Sequence, residues 1–286
     1  MQHGIYLFAT DYCADIAILA QRAETLGFDA LWVPEHPIVP VQYASRLWVF
    51  PDGVLPEWFA GAYDKLVDPL VALARASAVT TTLKLGTGIC LVPECNPLRL
   101  AKEIATLDHY SGGRFLFGIG TGWIKEETTI MGGDAAHPWG QTREAVQAMK
   151  ELWTKEEAEF HGQYYDFPLV RSFPKPVQQP HPPIFFGDLT GSAVFRRIVA
   201  WGNGWLPFGA SPEQVKSGRE MLNHLATEAG RDPRSIQIMV LGAPADPDVL
   251  KAYEQAGADA VACLMLSAPE KEALAQLEQI AQTVLP

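Results

Sequence analysis

The chain has 286 residues, a formal net charge of −11 and 48% hydrophobic side chains. That apolar content fills a core and excludes a disordered chain, while the acidic balance excludes a nucleic-acid or anionic-membrane surface. No apolar stretch reaches ~18 residues, and Met1-Gln2-His3-Gly4-Ile5 lacks the basic-then-apolar pattern of a secretory signal. The expectation is a cytoplasmic protein that crosses no bilayer.

In chain order, strands are expected near 4–9, 29–35, 84–91, 114–120, 183–188, 204–208, 235–241 and 259–266. They read as continuous apolar runs, the pattern of strands covered on both faces, and helical stripes lie between them. Ile16, Leu19, Ala20, Ala23 and Leu26 form one such stripe, and Leu100, Ala101, Ile104, Ala105 and Leu107 another. One joint recurs: Leu26-Gly27-Phe28, Trp201-Gly202-Asn203 and Ala256-Gly257-Ala258 each precede a short turn and a strand. Glycine in the left-handed position ending a helix is expected at all three. Eight βα units close a (β/α)8 TIM barrel, an α/β fold of ~250 residues plus insertions, and no domain linker is visible. Residues 1–286 therefore form one domain.

Two segments break the rhythm, one after the second strand and one after the fourth. Residues 37–67 carry Pro37, Pro40, Pro51 and Pro56 with Trp48, Phe50, Trp58 and Phe59. Residues 156–182 hold a hairpin-like phrase, Phe160 to Tyr165, followed by prolines. Each is too long for an ordinary joint, so each is expected to form a lid or an oligomer surface.

The chemistry-bearing residues fall at strand ends. Glu35-His36-Pro37 closes the second strand; His36 is either a rim histidine fixing a loop or a general acid/base, and Glu35 either orients it or points elsewhere. Thr87-Gly88-Ile89 interrupts a β-branched strand, either as a bulge at a crowded corner or as a flat support for a planar cofactor. Gly118-Ile119-Gly120-Thr121-Gly122 is not a dinucleotide fingerprint, because the last glycine of that motif falls on Trp123. Its amides still suit an anion or a ring edge. Gly187, Asp188, Gly191 and Ser192 open a helix after the fifth strand, as an ordinary cap or as a phosphate site, with Asp188 opposing the second. The four cysteines (Cys13, Cys90, Cys95, Cys263) lack metal-ligand spacing, so no metal is expected. No H-x-x-x-H, G-x-S-x-G elbow or P-loop lysine occurs, which disfavours zinc, serine and nucleotide hydrolases.

In order, the phrases LGFDALWVPEH, LKLGTGICLVP with NP, LAKEIATLDHYSGGRFLFGIGTGW, and PIFFGD through GNGW resemble the bacterial luciferase-like superfamily of flavin- and deazaflavin-dependent oxidoreductases. The wording WVPEH and GTGW is most similar to the branch using coenzyme F420; monooxygenases using reduced FMN share most of the phrases. The resemblance implies a barrel holding F420 or FMN at its carboxyl face, with a non-proline cis peptide at Gly88–Ile89 beneath the ring. It implies His36 beside the reactive edge, Thr87, Gly88 and Ile89 under the ring, and Gly120, Thr121, Gly122, Gly187, Asp188, Gly191 and Ser192 around the tail. Trp123 stands where sugar-phosphate dehydrogenases of the superfamily carry a catalytic Glu, so that activity does not transfer; Thr121 stands where luciferases carry a phosphate-binding Arg, which weakens the case for tight FMN binding. The expected activity is hydride transfer to, or oxygenation of, a small organic substrate, in a homodimer or higher homo-oligomer without nucleic-acid or membrane partners. The alternative is a non-catalytic flavin-binding relative.

Overall fold

The computed structural model describes residues 1–46, 57–188 and 191–285, without the side chains at 57, 58 and 60. The expected residues Trp48, Phe50 and Trp58 lie outside the described side chains. Parallel strands β1 (Gln2–Leu7), β2 (Ala30–Val33), β3 (Lys84–Thr87) with its continuation β4 (Cys90–Leu91), and β5 (Phe115–Gly120) form one half of the sheet. After the two-stranded antiparallel hairpin β6 (Ala158–His161) and β7 (Asp166–Val170), the other half is β8 (Ile184–Phe186), β9 (Gly204–Trp205), β10 (Gln237–Ala243) and β11 (Ala260–Met265). Pairing of β3 with β5 and of β1 with β11 closes the ring, so the sheet is a barrel of eight parallel strands, as expected. Among the described residues, no helix is long and apolar enough to cross a membrane.

Each strand splits its side chains between two cores. Outward-facing positions, such as Ile5, Leu31, Leu85, Phe117 and Val240, pack against the helices. Tyr6, Trp32, Leu116, Phe185, Leu206, Met239 and Leu241 fill the barrel interior. The largest inward side chain needs a gap opposite: a methyl added at Gly86 would lie 2.2 Å from Trp32.

The recurring joint has one physical purpose at all three places. The Asp29 carboxylate accepts the His3 amide (2.8 Å), the Asp259 carboxylate accepts the Ile238 amide (2.7 Å), and the Asn203 side-chain oxygen accepts the Ile184 amide (2.9 Å). Each of these three residues also returns its own amide to the carbonyl of its partner. A polar side chain after the helix thus fastens the bottom of the neighbouring strand. The glycine expectation holds only in part. Gly27 and Gly257 are left-handed (φ 100° and 90°), but Gly202 is extended (φ −104°) and is there for space, since a Cβ would lie 2.5 Å from the Phe186 ring.

The insertion after β2 returns through the short helix α2 (Glu57–Tyr63). Residues 65–67 then zip onto the stretch after β1, with Asp11 N–H donating to Lys65 O and Val67 N–H to Ala9 O, both at 3.0 Å. That seam holds α2 over the carboxyl mouth of the barrel. The second insertion contributes no residue to the described lining of that mouth, which leaves the oligomer surface of its two expected roles. It is strapped along helix α6 (Pro138–Thr154): the Glu144 carboxylate accepts the amides of Gln163, Tyr164 and Tyr165. Lys175 donates to Leu152 O near the helix end (2.7 Å), and Gln178 donates to buried Asp108 (2.6 Å) and to Phe115 O (2.7 Å).

Candidate active site

At the carboxyl mouth the strand ends surround a cleft of about 840 Å³. Its floor is Tyr6, Leu206, Leu241, Gly88 and Ile89. The peptide between Gly88 and Ile89 is cis, as the resemblance implies. The Gly88 carbonyl accepts the Tyr6 hydroxyl at 2.7 Å, and the Gly88 amide donates to Val33 O at 2.8 Å, so the break between β3 and β4 is held from both sides.

The expected site residues divide. His36, Gly88, Ile89, Thr121, Gly122, Gly187 and Asp188 line the cleft. Thr87 does not: it is fully buried and donates its hydroxyl to Gly118 O (2.8 Å), which fastens β3 to β5. Gly120 does not line it either. A Cβ at Gly120 would sit 1.9 Å from Ile89 Cδ1, and one at Gly187 2.2 Å from Ile89 Cγ2. Both glycines make a slot for the Ile89 side chain, and of the two only Gly187 also lines the cleft. Gly191 and Ser192 are exposed at the start of helix α7 (Ser192–Trp201), outside the lining. Asp188 presents its carbonyl to the Trp205 indole N–H (2.9 Å).

His36 is the centre of a buried polar chain rather than a free rim side chain. Its Nδ1 lies 2.6 Å from Glu127 Oε2 and its Nε2 2.7 Å from the Tyr63 hydroxyl, which also accepts the Trp123 indole N–H at 2.7 Å. Tyr63 comes from α2, Trp123 from the turn after β5, and Glu127 from helix α5 (Lys125–Ile130). Burial pushes the Glu127 carboxyl up to about 8 and holds the His36 imidazole well below its ordinary value. Both shifts favour a pair with no net charge, holding a single proton between Nδ1 and Oε2 at neutral pH. Burial likewise raises the Tyr63 phenol far above the ordinary value.

Glu35 does not orient His36. It turns away to accept the Leu91 amide (2.6 Å), and burial raises its carboxyl to about 7. Glu94, before helix α4 (Pro97–Ser111), accepts the Thr128 hydroxyl (2.9 Å); burial, then the Glu127 charge, raises it to about 8. Glu94 Oε2 and Glu127 Oε1 are both buried without a hydrogen-bond partner. Ligand-type atoms of Glu35, Cys90 and Cys95 also lie within 4.8 Å of one another, a gathering the sequence spacing did not announce. The Cys95 hydrogen bond and burial push the Cys90 thiol up, which keeps it protonated and a poor metal ligand.

Glu127, Glu94 and Tyr63 are the residues that sequence reasoning missed. Glu127 sits four residues beyond Trp123 in a run with Glu126, and only the fold tells the two apart. Glu126 faces outward and accepts from Ala44 N–H and the Ser45 hydroxyl (both 2.7 Å), docking the first insertion onto α5.

A (β/α)8 barrel whose carboxyl mouth holds an aromatic cleft with one buried imidazole is a cofactor-enzyme architecture. Residues 2–282 match the luciferase-like monooxygenase family, and the chain belongs to it. An uncharacterized protein of Mycobacterium tuberculosis is 35% identical over 283 residues, 98% of each chain. The oxygenase component of a flavin-dependent trigonelline monooxygenase from Acinetobacter baylyi is 32% identical over 169 residues, 58% of this chain and 41% of that protein. Among solved structures, the coenzyme F420-dependent tetrahydromethanopterin reductase from Methanopyrus kandleri superposes with a TM-score of 0.75 at 20% identity, covering 100% of this chain and 98% of that one. By their names, the Acinetobacter protein depends on a flavin and the Methanopyrus reductase on coenzyme F420.

Proposed function

We propose that the protein is an oxidoreductase that binds a flavin-type cofactor in the cleft and moves a hydride between it and a small organic carbonyl or alcohol. The observation that carries this reading is the buried hydrogen-bonded chain Glu127–His36–Tyr63, at 2.6 and 2.7 Å, behind a largely aromatic cleft at the carboxyl mouth. Hydride arrival at a carbonyl carbon demands a proton at its oxygen, and that chain of hydrogen bonds is built to supply one.

The cleft residues fit such a group. The floor of Tyr6, Leu206, Leu241 and Ile89 offers apolar contact to a flat ring. None of the lining residues is Lys or Arg, so an anionic tail would depend on backbone amides around Gly122 and on the start of α7. The cofactor, when bound, supplies the two-electron chemistry. The chain supplies the rest: the floor orients the ring, Phe8, Phe59 and Phe208 exclude water, and the His36 network holds the proton.

F420 is the favoured cofactor on the wording of WVPEH and GTGW, and FMN is the alternative, since end-to-end overlap is shared by the F420-dependent reductase and by a monooxygenase from Streptomyces bottropensis. Titration with F420 and with FMN, oxidised and reduced, followed by fluorescence and then by turnover on a panel of ketones, aldehydes and secondary alcohols, tests the reading. Binding of F420 with ketone reduction is expected, and His36→Gln lowers turnover by about 10²–10⁴-fold. Failure of either cofactor to bind at tens of micromolar refutes it.

A further inference from the structure

Both ring nitrogens of His36 are already taken, one by Glu127 and one by Tyr63, so the imidazole has no hydrogen left to offer the cleft. Tyr63 is different: it lines the cleft and its oxygen sits between two nitrogens, His36 Nε2 and Trp123 Nε1, each at 2.7 Å. We propose that the Tyr63 hydroxyl, not the His36 imidazole, is the catalytic group that hands the proton to the substrate oxygen. His36 and Glu127 are positioning and relay residues behind it. This rests on the hydride-transfer reading above.

The argument follows from donor counting. An indole N–H only donates, so Trp123 consumes one lone pair of the phenol oxygen. An imidazolium facing a carboxylate would put two charges where burial opposes both, which leaves two arrangements of the remaining hydrogens. With the proton on His36 Nδ1, Glu127 is a carboxylate, Nε2 is bare, and the Tyr63 hydrogen is spent inward on Nε2. With the proton on Glu127 Oε2, Nδ1 accepts, Nε2–H donates to Tyr63, and the phenol oxygen receives two donors. Its own hydrogen then points to the cleft. The surroundings of Glu127 select the second. The side chain is fully buried, and Oε1 has no hydrogen-bond partner; only the Ile38 amide favours the charged form. A carboxylate with an open oxygen in such a place costs more than a neutral carboxylic acid.

The step balances as follows. The reduced cofactor, when bound, would supply the hydride to the carbonyl carbon; the carbonyl π pair moves onto oxygen, which takes the Tyr63 proton. The Tyr63 oxygen takes the Nε2 proton of His36, and Nδ1 takes the proton of Glu127. The products are an alcohol, the oxidised cofactor and a Glu127 carboxylate, which regains a proton from solvent before the next turnover. The two N–H donors on Tyr63 oxygen stabilise the phenolate character that develops in the step, as an oxyanion hole does.

The test has two arms. In the cofactor-free protein, ring-¹⁵N NMR of labelled histidine, assigned with His36→Gln, reads the tautomer directly: Nε2–H with bare Nδ1 is expected at pH 7, and Nδ1–H overturns the inference. In the loaded enzyme, Tyr63→Phe keeps the ring stack with Phe59 (centroids 4.5 Å) but lacks the hydroxyl. It is expected to lower kcat by about 10²–10⁴-fold with cofactor Kd and substrate KM within about threefold, and Trp123→Phe to lower kcat by a smaller factor. Tyr63→Phe with full kcat returns the role to His36 and removes this inference alone. Absence of cofactor binding by the wild-type protein removes the functional reading and this inference with it.

Discussion

Ile89 is gripped by the ends of two neighbouring strands, and the grip is specific enough to be taken apart atom by atom. An alanine methyl at 120 would lie 1.9 Å from Ile89 Cδ1, and one at 187 would lie 2.2 Å from Cγ2, where ordinary contact begins at 3.4 Å. Neither glycine has positive φ, so alanine strains no backbone at either site. Overpacking of this kind costs about 1–3 kcal/mol. Ile89→Val removes Cδ1 but keeps both γ carbons, and costs about 0.5–1.5 kcal/mol alone. The Gly120→Ala methyl fits the space that valine vacates, so Ile89→Val with Gly120→Ala is expected to be no less stable than Ile89→Val, a favourable coupling of about 1–2 kcal/mol. With Gly187→Ala the clashing carbon remains, and the effects add. Urea unfolding of the three single variants, the two doubles and the wild type, at constant m-value, measures both cycles. Rescue of both alanines alike, or neutrality of Gly120→Ala, refutes the slot.

Two further outcomes follow from buried polar groups. Gln178→Ala strips donors from Asp108 and Phe115 O, which are otherwise buried, and is expected to destabilise by about 1–3 kcal/mol in urea while releasing the second insertion to protease. Glu94, raised from 4.5 to about 8 with Glu127 and Glu35 acting on it, holds a proton in the folded state that the unfolded chain releases above 4.5. The unfolded state therefore binds fewer protons through that window, and stability falls as pH rises from about 4.5 to 8, by at most about 1.4 kcal/mol per pH unit from this group. Glu94→Gln is expected to flatten the profile between about pH 5 and 8, and parallel profiles for the two proteins refute the assignment.

The barrel was legible because its signals are local. Continuous apolar strands, stripes at helical spacing and the thrice-repeated helix–glycine–polar joint each report a neighbour a few residues away. All eight strands fall where periodicity places them. The joint's polar residue was the part that went unread. Asp29, Asn203 and Asp259 are explained by amides far away in sequence, at His3, Ile184 and Ile238. The site was legible only along the strand ends. His36 announces itself by position, but its partners come from α2 and α5, and no spacing rule links residues 36, 63 and 127. One glycine misled in the opposite direction. Gly120 carries the same open-backbone signal as Gly122, yet it serves an isoleucine, a distinction that rests on side-chain packing across strands.

The site's electrostatics work by withholding charge. Glu35, Glu94 and Glu127 all sit at the mouth, and three carboxylates there would repel any anionic cofactor; burial raises each to about 7 or 8 instead. Fewer charges at the mouth lower the cost of covering it with a flat ring, as the proposed cofactor would. Burial also keeps an acid available at neutral pH, since a carboxyl near 8 retains a proton that an ordinary one has lost. The cost appears in affinity: with no Lys or Arg lining the cleft, an anionic tail gains only backbone dipoles.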